Sequence, residues 1–346
     1  MPRKFPGIWF DFLLIKSGAV SHPTKEVMDV KRLFLACMLL AALVVPVSAE
    51  PIRWAELHVS TEALEYAIQK DIATAEGEKH LDFVDILALA SCRTGGSCTR
   101  NAVQKAAADM EKDQSPKELA GKYFDYYQRV YRAAYGGLVG SFAIEKDGAL
   151  HPQYGLKAFS PIAAGYGYSH CDDFGAARSF GFKRRHLGND LMGALGTPIV
   201  AVEGGVVEAM GWNRYGGWRV GIRSFDGKRY YYYAHLQKDR PFAPNLSQGD
   251  QVESGDLIGF MGRTGYSDTE NVNNIECVHL HFGMELIFDE SQKECNHEIW
   301  VDVYPLVKLL SRHRSSLQRT ADGWQRVYPF TDLDYNVFPQ SFRSVQ

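Results

Sequence analysis

Long hydrophobic runs are absent from this chain. The most extended, Leu33 to Val45, covers thirteen residues, whereas a helix crossing a bilayer needs about 20. Charge of one sign is not in excess either. Lys and Arg number 38 against 41 Asp and Glu, a formal net charge of −3, so no nucleic-acid partner is indicated. Cysteine is scarce, with six in 346 residues, which disfavours a Cys-rich structural zinc site. Internal repeats and low-complexity segments are lacking. What remains is an ordinary globular composition, 45% hydrophobic and 12% aromatic, sufficient for packed cores. A length of 346 residues exceeds one average domain and predicts two.

The N-terminal region reads as a targeting segment. Lys31-Arg32 precede the apolar run, and Pro46-Val47-Ser48-Ala49 closes it with small residues. Basic, apolar and small-residue regions in that order predict an export signal over 28–49, cleaved after Ala49, or the same segment retained as a membrane tether. Met28 stands where such a signal begins, so residues 1–27 read as an upstream extension or a cytoplasmic tail. Cys37 lies inside the apolar run, which argues against a lipoprotein cleavage site. Cleavage leaves Cys92, Cys98, Cys171, Cys277 and Cys295, an odd number, so at least one thiol is unpaired or intermolecular. Cys92 and Cys98 flank the Thr94-Gly95-Gly96 turn and are the first candidate pair. Cys277 and Cys295 are a second, and simple buried thiols are the plain alternative.

From about 58 to 137 the pattern is helical. Thr61 to Ala75 carries Leu64, Ala67, Ile68 and Ile72 near the i, i+3, i+4 spacing of a buried stripe. Phe83 to Leu89 and Asn101 to Met110 are two further helices. Ser115-Pro116-Lys117-Glu118 is a start signal for a fourth, with Ser at N-cap, Pro at the first position and Glu at N3. That helix carries Tyr123, Phe124, Tyr126, Tyr127, Tyr131 and Tyr135, a density expected of core packing. Residues 140–185 read as loop, punctuated by glycines. Beyond 197, short β-prone runs alternate with Gly turns: Ile199 to Val202, Val206 to Met210, Trp218 to Arg223, Arg229 to Leu236, Leu257 to Met261 and Leu280 to Ile287. Many short strands without intervening helices predict an antiparallel sheet or small barrel. Phe225-Asp226-Gly227-Lys228 carries the Asp-Gly hairpin signal. Period 2 through the tyrosine run places Tyr231, Tyr233 and His235 on one face, with Tyr230 and Tyr232 on the other. Residues 299–312 suggest a partly helical closing element.

The chemistry concentrates in histidines. His279-Leu280-His281 puts two imidazoles on one face of a strand, about 6.6 Å apart at about 3.3 Å per residue. His186-Leu187-Gly188-Asn189-Asp190 sets an imidazole and a carboxylate four apart around a flexible Gly. His186, Asp190 and His281 make three good zinc donors, and three protein ligands leave a fourth position open, the signature of a catalytic site. Tyr233-Ala234-His235-Leu236 lies between the two motifs. His170-Cys171-Asp172-Asp173 is a denser cluster, but neighbours on one loop do not easily converge on one ion, and it reads as cleft wall.

The ordered set of motifs resembles the catalytic domain of lysostaphin-type zinc metallopeptidases, which cut cell-wall peptidoglycan, over about 155–290. The matching text includes Gly196-Thr197-Pro198-Ile199-Val200-Ala201, Gly204-Gly205-Val206-Val207, Tyr233-Ala234-His235-Leu236 and Gly249-Asp250-Gln251-Val252. Gly255-Asp256-Leu257-Ile258-Gly259, Gly262-Arg263-Thr264-Gly265 and His279-Leu280-His281-Phe282 follow in the family's order. The resemblance implies one Zn2+ per chain held by His186, Asp190 and His281, with His235 and His279 as unliganded catalytic histidines. Residue pattern and resemblance together predict an α+β chain: an N-terminal helical domain over 50–140, outside the match, then a mainly antiparallel, barrel-sandwich-like zinc metallopeptidase domain over 141–312, with a C-terminal tail over 313–346. The implied substrate is peptidoglycan peptide, and the implied location is secreted, in the cell wall or on the outer face of the cytoplasmic membrane.

Two departures stand out. Thr269 to Cys277 is longer than the family's Gly-containing stretch, Asn-rich and without Gly, so the cleft rim is reshaped. Phe180 and Phe182 occupy the neighbourhood where some relatives carry a tyrosine that stabilises the reacting carbonyl. The basic cluster Lys183-Arg184-Arg185 reads as a solvated face or as a contact for acidic wall groups near the cleft. The helical His-Glu-x-x-His arrangement with its Glu base is absent, so base and charge stabilisation fall to His279 and His235, in either order. A non-enzymatic wall scaffold on the same domain is the alternative, weakened because all five residues are present. A biotinyl- or lipoyl-carrier module would need a Lys at a hairpin tip, and none is apparent.

Overall fold

The computed structural model describes residues 57–112, 115–180, 182–292, 298–321 and 323–335. The expected segments 1–27 and 28–49 lie outside the described residues. Among the described residues no helix is long and apolar enough to cross a membrane.

Five helices open the fold, and the first three start where a short polar side chain takes an orphan N–H. Helix α1 (Thr61–Thr74) is capped by Ser60, which accepts from Ala63 N at 3.2 Å. It buries Leu64, Ala67 and Ile68 of the anticipated stripe together with Ala63, while Ile72 is half-buried. Helix α2 (Phe83–Thr94) is capped by Asp82 through Val84 N at 2.8 Å. It ends at Gly95 with φ 67, a left-handed cap that Gly adopts without a Cβ penalty. Helix α3 (Arg100–Met110) is capped by Thr99. The fourth expected helix is split. Helix α4 (Pro116–Ala120) stops at Gly121 with φ 68, and α5 (Phe124–Tyr135) begins after a single 3-10 turn. The aromatic run divides accordingly: Phe124, Tyr131 and Tyr135 are buried, while Tyr123 is exposed.

The anticipated Cys92–Cys98 bridge is not formed. Cys98 is buried, its thiol donates to Leu87 O at 3.3 Å, and Ser91 Oγ lies 3.1 Å away. Cys98 packs into the helical core beside Ser91 and Tyr131. Cys277 is free and exposed, and Cys295 lies outside the described residues.

Residues 140–185, read as loop, hold strands instead. After the short parallel pair β1 (His58–Val59) and β2 (Ser97–Cys98), strands β3 (Val139–Lys146) and β4 (Ala149–Leu156) form an antiparallel hairpin. Most of β4 faces solvent and carries no apolar alternation, so its sequence signal is weak. Then come β5 (Tyr168–His170), β6 (Ala177–Phe180), β7 (Phe182–Arg185), β8 (Asn189–Gly193) and β9 (Pro198–Val200). They are followed by β10 (Gly205–Asn213), β11 (Gly217–Ser224), β12 (Arg229–Ala234), β13 (Gln251–Val252), β14 (Leu257–Phe260) and β15 (His279–Leu286). The chain closes with β16 (Trp300–Val301), helix α6 (Tyr304–Leu310), β17 (Leu317–Thr320), β18 (Gly323–Arg326) and β19 (Phe330–Asp332).

The main sheet runs β13-β10-β11-β12-β15-β8-β5, with β16 also paired to β15, and its pairings are antiparallel throughout. The Asp-Gly turn joins β11 to β12 as expected. Side chains alternate between faces, and directly paired residues share one. Val220, Ile222, Tyr231, Tyr233, Phe282 and Met284 therefore fill the core face, all with no exposed surface. Each such large apolar side chain contributes about 1.5–3 kcal/mol by leaving water. The opposite face carries Tyr232, Ala234 and His281, the last directly paired with Asp190.

Stretches beyond the main sheet are tied to it by charge. Arg229 is fully buried on β12, where it meets Glu203 in a two-pronged pair at 2.7 and 2.9 Å and donates to Ala133 O of α5 at 2.7 Å. The 313–346 stretch, expected only as a tail, contributes the β17–β18 hairpin and β19, which pairs with β3. Lys157 anchors it through Asp332 at 2.8 Å and Asp334 at 3.0 Å.

Candidate metal centre and its histidine pair

Strand register assembles the site. The β8–β15 pairing sets Asp190 opposite His281 and Met192 opposite His279, which puts both histidines of the pair on one face. His186 reaches the same point across the Leu187-Gly188 bend. A Cβ on Gly188 would lie 2.6 Å from Phe282 O and 2.8 Å from His281 Cε1, so only Gly lets the bend pass this close. His186 Nε2 then lies 2.8 Å from His281 Nδ1 and 3.1 Å from Asp190 Oδ1, and His281 Nδ1 is 3.3 Å from Asp190 Oδ1. Tetrahedral zinc with ligand distances of about 2.1 Å spaces its donors about 3.4 Å apart. The three atoms therefore converge as a zinc site requires, slightly tighter than with the ion between them.

Protonation suits the same ion. Burial holds His281 below the usual imidazole range, although Asp190 opposes this. Burial alone would raise Asp190, but contacts with His186 and His281 outweigh it and hold the carboxylate far below its ordinary range. A neutral imidazole and an ionised carboxylate are what a divalent cation binds.

A supporting layer that sequence reading missed fixes His186. Asp173 accepts from the ring at Nδ1, through Oδ2 at 3.2 Å and its backbone O at 3.2 Å, which leaves the Nε2 lone pair facing the centre. Asp173 Oδ1 also accepts from Asp190 N at 3.3 Å, and Arg178 donates to Asp173 Oδ2 at 2.6 Å. Of the His170-Cys171-Asp172-Asp173 cluster, then, Asp173 stands behind a candidate ligand. His170 turns away to pack on Tyr304, with ring centroids 4.4 Å apart. The only sequence hint was the local density of acidic residues. Asp173→Asn should weaken zinc binding about 10–100-fold, read by competition with a chelating dye; unchanged affinity would contradict this supporting role.

His235 and His279 flank the centre. Their ring centroids are 4.8 Å apart, and His279 Nε2 lies 3.6 Å from Asp190 Oδ1. A carbonyl can only accept, so His279 donates through Nδ1 to Cys277 O at 3.0 Å, and His235 through Nδ1 to Thr264 O at 2.9 Å. Each ring is left with its Nε2 for chemistry. Burial, reinforced by His279 and His281, holds His235 well below the usual imidazole range.

The face expected for His235 is corrected by its backbone. With φ 60, His235 is left-handed and breaks the strand period after Ala234. Its ring therefore joins the His279 and His281 side, while Tyr231 and Tyr233 stay in the core. The Asn-rich stretch is hydrogen-bonded to residues beside the site. Asn271 accepts from Trp218 Nε1 and from Asp239 N, both at 2.9 Å. Asn274 Nδ2 donates to Tyr266 O at 2.7 Å, and the Tyr266 ring lies 5.9 Å from that of His235. The side chains of Phe180 and Phe182 lie outside the described residues.

The class these features define is a peptidase domain with a candidate metal centre on an antiparallel sheet. Residues 184–294 match Peptidase family M23. The chain is 34% identical over 191 residues, 55% of its length, to the L-Ala–D-Glu endopeptidase of Bacillus subtilis, of which the match covers 54%. It is 37% identical over 98 residues, 28% of its length, to lysostaphin of Staphylococcus simulans, of which 17% is covered. The match thus spans about half of the first relative and less of the second. A crystal structure from Ruminococcus gnavus, of a protein assigned as the glycyl-glycine endopeptidase LytM, shares 27% identity at a TM-score of 0.50. That match covers 78% of this chain and 93% of the other. Residues 184–294 thus carry a Peptidase family M23 domain, and the fold is the α+β arrangement of the matching structure.

Proposed function

We propose that this protein is a zinc-dependent endopeptidase that hydrolyses peptide bonds in bacterial cell-wall peptidoglycan, acting after export. The observation that carries the reading is the convergence of His186, Asp190 and His281, whose donor atoms all lie within 4.8 Å of one another, beside two further imidazoles. The printed names of similar proteins, an L-Ala–D-Glu endopeptidase and a glycyl-glycine endopeptidase, support the substrate class. A bound zinc ion would supply an acidified water and polarise the scissile carbonyl.

The chain's own residues handle the protons. His279 presents an Nε2 lone pair beside Asp190 and takes the proton of the attacking water. His235 starts neutral, with Nδ1–H tied to Thr264 O, so its Nε2 is an acceptor and cannot stabilise an oxyanion in that state. It becomes a donor only once a proton has reached it from the neighbouring ring, and the departing amine then takes that proton. Digestion of purified peptidoglycan should release new amine termini, stop on chelation and resume with zinc. Digestion unaffected by a chelator would contradict the metal-dependent reading.

A further inference from the structure

Arg184, in the basic cluster on β7, lies at the rim of the site in a setting unlike that of its neighbours. Arg178 is paired with Asp173 at 2.6 Å, and Arg214 with Asp268 at 3.2 Å. Among the described residues no carboxylate pairs with Arg184. Its guanidinium is instead clamped between two aromatic faces, 5.4 Å from the Tyr215 ring centroid and 5.3 Å from that of Tyr266. Nη2 donates to Tyr266 Oη at 2.6 Å, while Nε is buried without a hydrogen-bond partner. A part-buried guanidinium beside two rings and paired with no carboxylate keeps Nη donors that favour an incoming anion.

The clamp is built rather than incidental. Tyr266 has φ 49, an unusual conformation for a bulky residue. It is held there by Tyr215 O accepting from its N–H at 3.3 Å and by Asn274 Nδ2 donating to its carbonyl. Its ring carries the clamp up to His235, 5.9 Å away. A planar guanidinium at that position matches a carboxylate with two parallel N–H···O bonds, a geometry that a carboxamide or a plain glycyl unit cannot fully return.

We infer that Arg184, set by Tyr215 and Tyr266, forms a carboxylate subsite that selects substrate peptides bearing a free acidic group next to the scissile bond. This rests on the peptidase reading for its substrate class. The test uses the full chain and two soluble stem-peptide fragments, identical except that one carries a free glutamyl α-carboxylate and the other the matching carboxamide. Dissociation constants by calorimetry and kcat/KM by product analysis are measured for wild type, Arg184→Gln and Arg184→Lys.

The expected result is a preference of about tenfold or more for the carboxylate in both measurements, removed by Arg184→Gln and partly kept by Arg184→Lys. The carboxamide peptide should be nearly indifferent to either substitution, which a merely structural role would not produce. Equal binding and hydrolysis of both peptides by wild type would overturn the subsite and leave the peptidase reading standing. Equal losses on both peptides in Arg184→Gln and Arg184→Lys would overturn it as well. An Arg184-dependent binding preference without hydrolysis of either peptide would support the subsite and count against the peptidase reading.

Discussion

Replacing His279 with alanine should leave about one zinc per chain and lower kcat about 10²–10⁴-fold, the range that a positioned general base contributes. The separation of the two effects follows from the geometry. His279 shares the ligand strand with His281, but its Nε2 stands 3.6 Å from Asp190 Oδ1, outside the three converging donor atoms. Its Nδ1 is occupied by Cys277 O, so the lost function is that of the Nε2 lone pair alone. His235→Ala should also retain zinc and lose turnover. Because the two rings work on one proton, the double variant should be little worse than the weaker single, as expected for residues that act as a unit. Zinc content by mass spectrometry, alongside turnover, checks both. Near-normal hydrolysis by His279→Ala would remove His279 from the mechanism.

Glu203→Ala should cost about 3–5 kcal/mol of stability, because it leaves a buried cation with too few partners. Arg229 has no exposed surface, and its charge is sustained there against burial by Glu203 and Asp226. Glu203 also accepts from Tyr231 Oη at 2.6 Å, so its loss strands two buried donors. Gly137 packs directly on this pair; a Cβ there would collide with the Glu203 carboxylate and the Arg229 guanidinium. The Arg229 contact with Ala133 O makes the pair the joint between α5 and the sheet. Replacing both residues with methionine should cost far less than Glu203→Ala, since neither charge then remains buried alone. Urea unfolding midpoints of wild type and the two variants decide this. A loss below about 1 kcal/mol for Glu203→Ala would mean that Asp226 and water compensate.

The sequence carried a good part of this architecture, and the gaps have physical causes. Helices α1 to α3 were legible from their apolar pattern, and the β11–β12 hairpin because Asp226-Gly227 has few other uses. His186, Asp190 and His281 stood out as donors, but their convergence depends on register between β8 and β15, which local pattern does not encode. Period 2 misplaced His235 because the strand ends one residue earlier, at Ala234, and the next residue is left-handed. Strand β4 and the stretch after 312 escaped notice because their solvent faces lack alternation. Asp173 and Arg184 act through partners 13 and 82 residues away, so composition near either one is silent about its contacts.

The central claim is that one zinc ion held by His186, Asp190 and His281 makes this chain a peptidoglycan endopeptidase. The most direct measurement takes zinc content and peptidoglycan cleavage on the same samples of wild type and His281→Ala. The account predicts about one zinc per chain with peptide-bond cleavage in wild type, and loss of both in the variant. Cleavage that persists in His281→Ala after its zinc is gone would contradict it.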